Sequence, residues 1–510
     1  MVEPLRLAAV DLGAESGRVM IGLLHGERIE LELAHRFANT PLQSSDGLHW
    51  NLSRLFSQTA RGLARAAHGG PLAGAGIDAW GCDYALLDGD DRELGPPFHY
   101  RDERTTDAVM EAVHRRVGRA ELYRRTGIQT MPINTVFQLS AEVAAGRPEL
   151  AGARRIALIP DLLGLRLTGT LVNEVTIAST TALLEAHGHR WALDLVDRLG
   201  LPHAPFTGTV TEPGVELGPI LDGHSGLLGA AAGTTVRTVA GHDTASAFVA
   251  APLRDRHAAV LSSGTWSLLG LELDEPELGP DAAACNLTNE RGLDGTTRLL
   301  RNVMGLWLVQ ECRRCWEAEG VTRDYDELTR LARDAPPDVA LFDPDHESLL
   351  RGGDMPARIA SLCAASGQTP PAGPGELLRS ILVSLACRYR MVLEQLIAVS
   401  GRSIDAIHVV GGGARNELLC RLTADLCDRP VLAGPVEATA LGNVLVQAAA
   451  LGEVSGLAQM RELVRHSQDV ARYEPGTAQP AAETYQRFLA VTGLGPPRLS
   501  QRPLAIQGET

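Results

Sequence analysis

The chain has 510 residues, 45% of them hydrophobic and 21% charged, enough for a sizeable core in several domains or two large ones. A net charge of −15 argues against a nucleic-acid binder and leaves any anionic substrate to local donors and a metal. All 47 basic residues are arginine, which excludes a Walker A loop, a protein-kinase strand lysine and Schiff-base chemistry.

Residues 7–21 predict strand, tight turn and strand, with Asp11 at the end of the first strand and Gly13 and Gly17 in the corner. Two readings stand. The turn can present backbone N–H groups to phosphate while Asp11 holds Mg²⁺, or it is an ordinary hairpin. Because a strand follows Gly17, this is no dinucleotide fingerprint. Asp11 also interrupts the first apolar run, so no secretory signal is read, and no run approaches the ~20 residues of a membrane span. The eight scattered cysteines read as reduced. A cytoplasmic protein with neither nucleic-acid nor membrane partners is expected. Cys312 and Cys315 form a CxxC without a second pair, read as incidental to a helix.

Residues 28–37 predict further strand, and residues 52–67 a helix capped by Asn51. Residues 76–88 read as strand, break at Gly81, strand; the break is a plain turn or a place where a ligand nears the backbone. Residues 96–105 are polar and charged, and either line a sugar site or carry surface ion pairs; His99 reads as structural. Asp243, after Gly241 and His242, precedes a helical pattern and is either an N-cap or a rigidly held base.

Residues 258–270 repeat the opening design about 250 positions later: apolar strand, small turn with Gly264, apolar strand. The repetition suggests an internal duplication, two α/β domains of one architecture facing each other across a cleft that closes on its ligands. A helix is expected from Asn302 past Cys315, another over residues 376–399, and strand, glycine turn and helix over residues 404–419, with Asn416 as cap. The expected domains are residues 1–245, residues 246–475 and a peripheral tail over 476–510.

Several stretches together resemble the FGGY family of carbohydrate kinases: Asp11-Leu12-Gly13-Ala14-Glu15-Ser16-Gly17-Arg18, Trp80-Gly81-Cys82-Asp83, His242-Asp243-Thr244-Ala245-Ser246, Leu261-Ser262-Ser263-Gly264-Thr265-Trp266-Ser267 and Asn302-Val303-Met304-Gly305-Leu306-Trp307-Leu308. The resemblance implies two actin-like (ribonuclease H-like) ATPase domains, with ATP and Mg²⁺ as cofactors. It implies ATP contacts from Ala14, Glu15, Ser16, Gly17, Arg18, Thr265, Gln310 and Gly412. Gly81, His242, Asp243, Thr244 and Asn302 would line a small-molecule ketose, with Asp243 as proton acceptor; the candidate for the metal remains Asp11, at the end of the first strand. The implied reaction is phosphorylation of a ketose primary hydroxyl, with L-rhamnulose first and L-fuculose or L-xylulose as alternatives, in a monomer or homodimer. A non-catalytic actin-like sugar sensor is the reading from another class. Glu15 departs from the small residue expected there, and a carboxylate beside phosphates is unfavourable unless it points away or helps hold Mg²⁺.

Overall fold

A computed structural model of the chain describes residues 3–221 and 226–495. Two mixed sheets carry it, and both are built in the same order. In the first, Leu5–Leu12, Ser16–His25 and Arg28–Ala38 pair antiparallel in succession. Gly74–Ala79 lies parallel on the other side of Leu5–Leu12, and Thr235–Arg237 lies parallel beyond it. In the second, Ala258–Ser263, Trp266–Leu273 and Thr297–Met304 pair antiparallel in succession. Ala406–Val410 and then Val431–Ala433 extend that sheet by parallel pairing. This repeat is the two-domain α/β architecture expected from the two hairpins.

The central strands are apolar because both faces are covered. Every residue of Gly74–Ala79 is buried, and so are the last six of Leu5–Leu12. Leu7 and Ala9 from the first sheet share one core cluster with Val260, Leu268 and Val410 from the second. The helix Ala438–Ala450 adds Leu441 and Val444 to it. That helix crosses Asp243–Val249 so closely that a Cβ on Gly442 would lie 1.8 Å from the Ser246 carbonyl oxygen. The long helix Pro374–Ser400 backs the second sheet, where the Tyr389 and Ser267 hydroxyls hydrogen-bond at 2.7 Å.

Two local expectations are corrected. Asn302 ends a strand instead of starting a helix: Thr297–Met304 stays in register with Trp266–Leu273 as far as Met304, and the helix is Trp307–Ala318. Gly305 makes the break, since a Cβ there would lie 2.6 Å from the Trp266 carbonyl carbon. Asp243 is not an N-cap; His242 occupies the cap position and Asp243 is the first helical residue. Near the end of the chain, Ala478–Thr492 is a helix that buries Tyr485 and Phe488 in the core of the second sheet. Residues 496–510 lie outside the described residues. Among the described residues no helix is long and apolar enough to cross a membrane.

Candidate active site

A cavity of ≈ 600 Å³ runs between the two hairpins. It is lined by Asp11, Ala14, Glu15, Ser16, Arg18, Gly81, His242, Asp243, Thr244, Thr265, Asn302, Gln310 and Gly412. Of the site residues expected from sequence, only Gly17 is absent from this lining. It is a packing glycine, since a Cβ there would lie 2.3 Å from the Phe37 ring.

The hairpin turns are held by their own backbone. Gly13 N–H donates to the Ser16 carbonyl at 3.0 Å, and Asn39 Nδ2 donates to the Gly13 carbonyl at 3.0 Å. In the second turn the Gly264 and Thr265 carbonyls accept from Leu306 and Trp307, tying the turn to the start of helix Trp307–Ala318. Glu15 turns away toward Arg314, which also pairs with Glu311. Across the cavity, Gly412 faces open space, with nothing within 4 Å of an added Cβ. Neighbouring Gly413 packs against Ser263. Gln310 Oε1 is buried without a hydrogen-bond partner, an acceptor left for something in the cavity.

Strand register brings the carboxylates together. Asp11 is opposite Arg18 on the antiparallel side and beside Asp78 on the parallel side. Arg18 Nη2 is 2.8 Å from Asp11 Oδ2, and its Nη1 is 2.8 Å from Glu437 Oε2. Asp78 is fully buried and accepts from Asn443 Nδ2 at 2.6 Å, but its Oδ1 has no partner. Burial and then the Asp11 charge push the Asp78 carboxyl well above the usual range, against the Asn443 hydrogen bond. Burial also raises Asp243, His242 opposes this, and Asp11 adds to the rise. Among the described residues no group of three or more His, Cys, Asp or Glu could hold a metal by itself.

The loop carrying Asp243 is pinned from below. Buried Glu174 accepts from Gly241 N–H at 2.9 Å, and from Thr176 and Ile177. Thr176 Oγ1 accepts from His242 N–H at 3.1 Å. The Asp243 carboxylate accepts from Thr244 N–H at 2.5 Å and stays 29% exposed. Gln129 Oε1 accepts from Asn302 N–H and Nδ2 at 2.9 and 3.1 Å. Gly81 stands against Thr180, where a Cβ would meet the side chain at 3.1 Å. Asp83 accepts from both Trp50 and Trp80 Nε1, setting the Trp80 wall; burial raises its carboxyl to about 6 against the hydrogen bonds from Gln138 and the tryptophans. Nearby, the buried Arg101 guanidinium lies 3.8 Å from the Trp307 ring centroid and 5.0 Å from that of Trp266.

Residues 7–250 match the FGGY family of carbohydrate kinases, N-terminal domain, and residues 259–451 match its C-terminal domain. The chain belongs to the FGGY family of carbohydrate kinases. Among its FGGY relatives, the rhamnulokinase of Bacteroides thetaiotaomicron is 42% identical over 92% of this chain and 95% of its own. The rhamnulokinase of Pectobacterium carotovorum is 42% identical over 95% of this chain and 96% of its own. The fold is shared with xylulose kinase from Lactobacillus acidophilus, at a TM-score of 0.75 and 16% identity over 95% of this chain and 97% of that one. It is shared too with Plasmodium falciparum glycerol kinase, at 0.73 and 13% over 96% of this chain and 98% of that one.

The motifs shared with the FGGY family mark the glycines and the Asp243 loop, but not the side chains that hold them. Asp78 and Asp83 carried a signal, each being a charge within an apolar stretch. Glu174, Gln129 and Glu290 carried none, because they sit in short mixed stretches and meet the site through the fold.

Proposed function

We propose that this carbohydrate kinase transfers the γ-phosphoryl group of ATP to the primary hydroxyl of L-rhamnulose, giving L-rhamnulose 1-phosphate and ADP. The observation that carries the chemistry is Asp243. Its partly exposed carboxylate is fixed at a helix start in the cavity between two phosphate-type hairpins. The choice of sugar is supported by relatives named rhamnulokinase, 40–42% identical over 90% or more of this chain.

In this reading Asp243 takes the hydroxyl proton as the sugar oxygen bonds to phosphorus and the bond to ADP breaks. Gly81, His242, Thr244 and Asn302 orient the sugar. The turn at Ala14–Arg18, with Thr265, Gln310 and Gly412, holds ATP. The site suits Mg²⁺, which needs only one or two carboxylates alongside substrate phosphates. Asp11 would hold it, and the buried Asp78, with its unpartnered Oδ1, stands beside Asp11 in the strand register. Bound there, Mg²⁺ would neutralise charge on the phosphates. A domain boundary near residue 245 and a cytoplasmic place of action, consistent with eight free thiols, belong to the same reading.

The test is ADP release across a panel of ketoses. L-Rhamnulose is expected to give the highest kcat/KM; preference for L-fuculose or L-xylulose would reassign the substrate. ADP release unaffected by any sugar would remove the kinase reading.

A further inference from the structure

Glu290 lies in the cavity wall but has no role in the chemistry above. It belongs to the edge strand Thr288–Arg291, directly opposite Arg298 on the neighbouring strand. Both side chains are withdrawn from water, at 5% and 1% exposure, and lie 3.2 Å apart. Glu290 Oε2 is also 3.0 Å from His242 Nδ1. On the other side of the ring, His242 Nε2 is 3.4 Å from Asp243 Oδ1. A charged pair therefore stands behind the imidazole, and the proposed base stands in front of it.

Arg298 Nη2 is 3.2 Å from Nδ1 as well, so the ring proton has two possible places. The carboxylate decides between them. A lone pair on Nδ1 facing Oε2 at 3.0 Å would be repelled, and the other close neighbour of Oε2 is the Arg298 guanidinium at 3.2 Å. A proton on Nδ1 removes that repulsion. Arg298 offsets the Glu290 charge, so the pair directs this proton without calling for a second one on the ring.

We propose that Glu290, held by Arg298, is a positioning residue that fixes His242 as the neutral Nδ1–H tautomer. Nε2 is then an acceptor next to Asp243. Two acceptors side by side form a receptacle for hydroxyl donors, which suits a polyhydroxylated substrate whose reacting hydroxyl must be turned toward Asp243. An Nε2–H would instead donate to Asp243 and weaken it as a base. The inference rests on the ketose-kinase reading for its purpose, though its first test does not.

That test is the ¹⁵N-histidine spectrum of the unliganded protein at neutral pH, with His242 assigned from its loss in His242→Asn. An Nδ1–H neutral pattern is expected; an Nε2–H or imidazolium pattern overturns the proposal. Because no sugar or ATP is present, this result stands even if every ketose fails as substrate. The second test is kinetic. Glu290→Gln should lower kcat/KM for the ketose by about 10–100-fold, the range for partners one step behind a reacting site, and leave the KM for ATP unchanged. In the His242→Asn background the same change should cost less than about twofold, since its route through the ring is gone. A full, additive loss there means that Glu290 acts otherwise, and overturns the proposal. Should Glu290→Gln fold poorly with Arg298 unpaired, the unsubstituted spectrum still decides.

Discussion

Glu15 and Arg314 form an ion pair although 299 positions separate them in the chain. The contact ties the first hairpin to the helix that follows the second, and it shows where the unexpected carboxylate goes. Glu15 points at a guanidinium, so its charge is masked where phosphates are expected. Arg314→Ala should expose that charge and raise the KM for ATP about fivefold, equivalent to about 1 kcal/mol of repulsion. Glu15→Ser in the same background should restore it. Both partners are partly exposed, so unfolding free energies should move by less than about 1 kcal/mol. Steady-state kinetics of the two variants and their combination check this.

Asp243→Asn removes the proposed base and keeps its size. Its kcat should fall by about two to four orders of magnitude, while sugar and ATP still bind. Burial raises the Asp243 pKa, and the base must be ionised to work. Activity is therefore lost as pH falls through that raised value, so the acid limb of kcat/KM should lie above the ~3.9 of an ordinary aspartate. A variant near wild-type rate, or an acid limb at or below that value, contradicts the assignment.

Glu174 predicts how stability varies with pH. Burial raises its carboxyl to about 7, against the Thr176, Ile177 and Gly241 donors. A folded-state pKa above the unfolded one gives stability that is complete below the unfolded pKa and is lost as pH rises through the folded one. Between the ordinary glutamate value of ~4.3 and neutrality this group should withdraw about 3 kcal/mol. Urea unfolding across that window should show a flatter slope for Glu174→Gln; an unchanged slope would mean that the group does not titrate there. Asp83 contributes with the same sign up to about 6.

Gly412 and Gly413 should respond in opposite ways. A side chain at Gly412 enters open cavity, so Gly412→Val should fold normally and raise the KM for ATP by about tenfold or more, with little effect on that for sugar. At Gly413 a Cβ would lie 2.0 Å from Ser263 Oγ, so Gly413→Ala should cost about 1–3 kcal/mol of stability. Thermal melts and ATP titrations of both variants check the contrast.

Strand ends and turns were legible because their signals are local: an apolar run, a carboxylate, a glycine corner. The same locality placed the Asp11 and Thr265 turns on one cavity once the duplication was recognised. Asn302 ends a strand where the sequence suggests a helix, because an apolar run crossing from strand into helix has no period of its own until Gly305 divides it. The partners of the site were not legible. Glu174 reaches Gly241 across 67 positions, and Gln129 reaches Asn302 across 173. No sequence window contains either pair.

Arg101 supplies the protein with an optical gauge. Its guanidinium comes from the segment after Phe98, whereas the Trp266 and Trp307 rings it covers belong to the second hairpin and the helix beyond it. Any hinge motion that parts the two halves must peel the cation off these indoles and wet them. Intrinsic emission should then shift to the red on opening and to the blue on closure, without an attached label. Arg101→Leu should blunt that signal, leaving a chain whose hinge still moves but is no longer visible in its fluorescence.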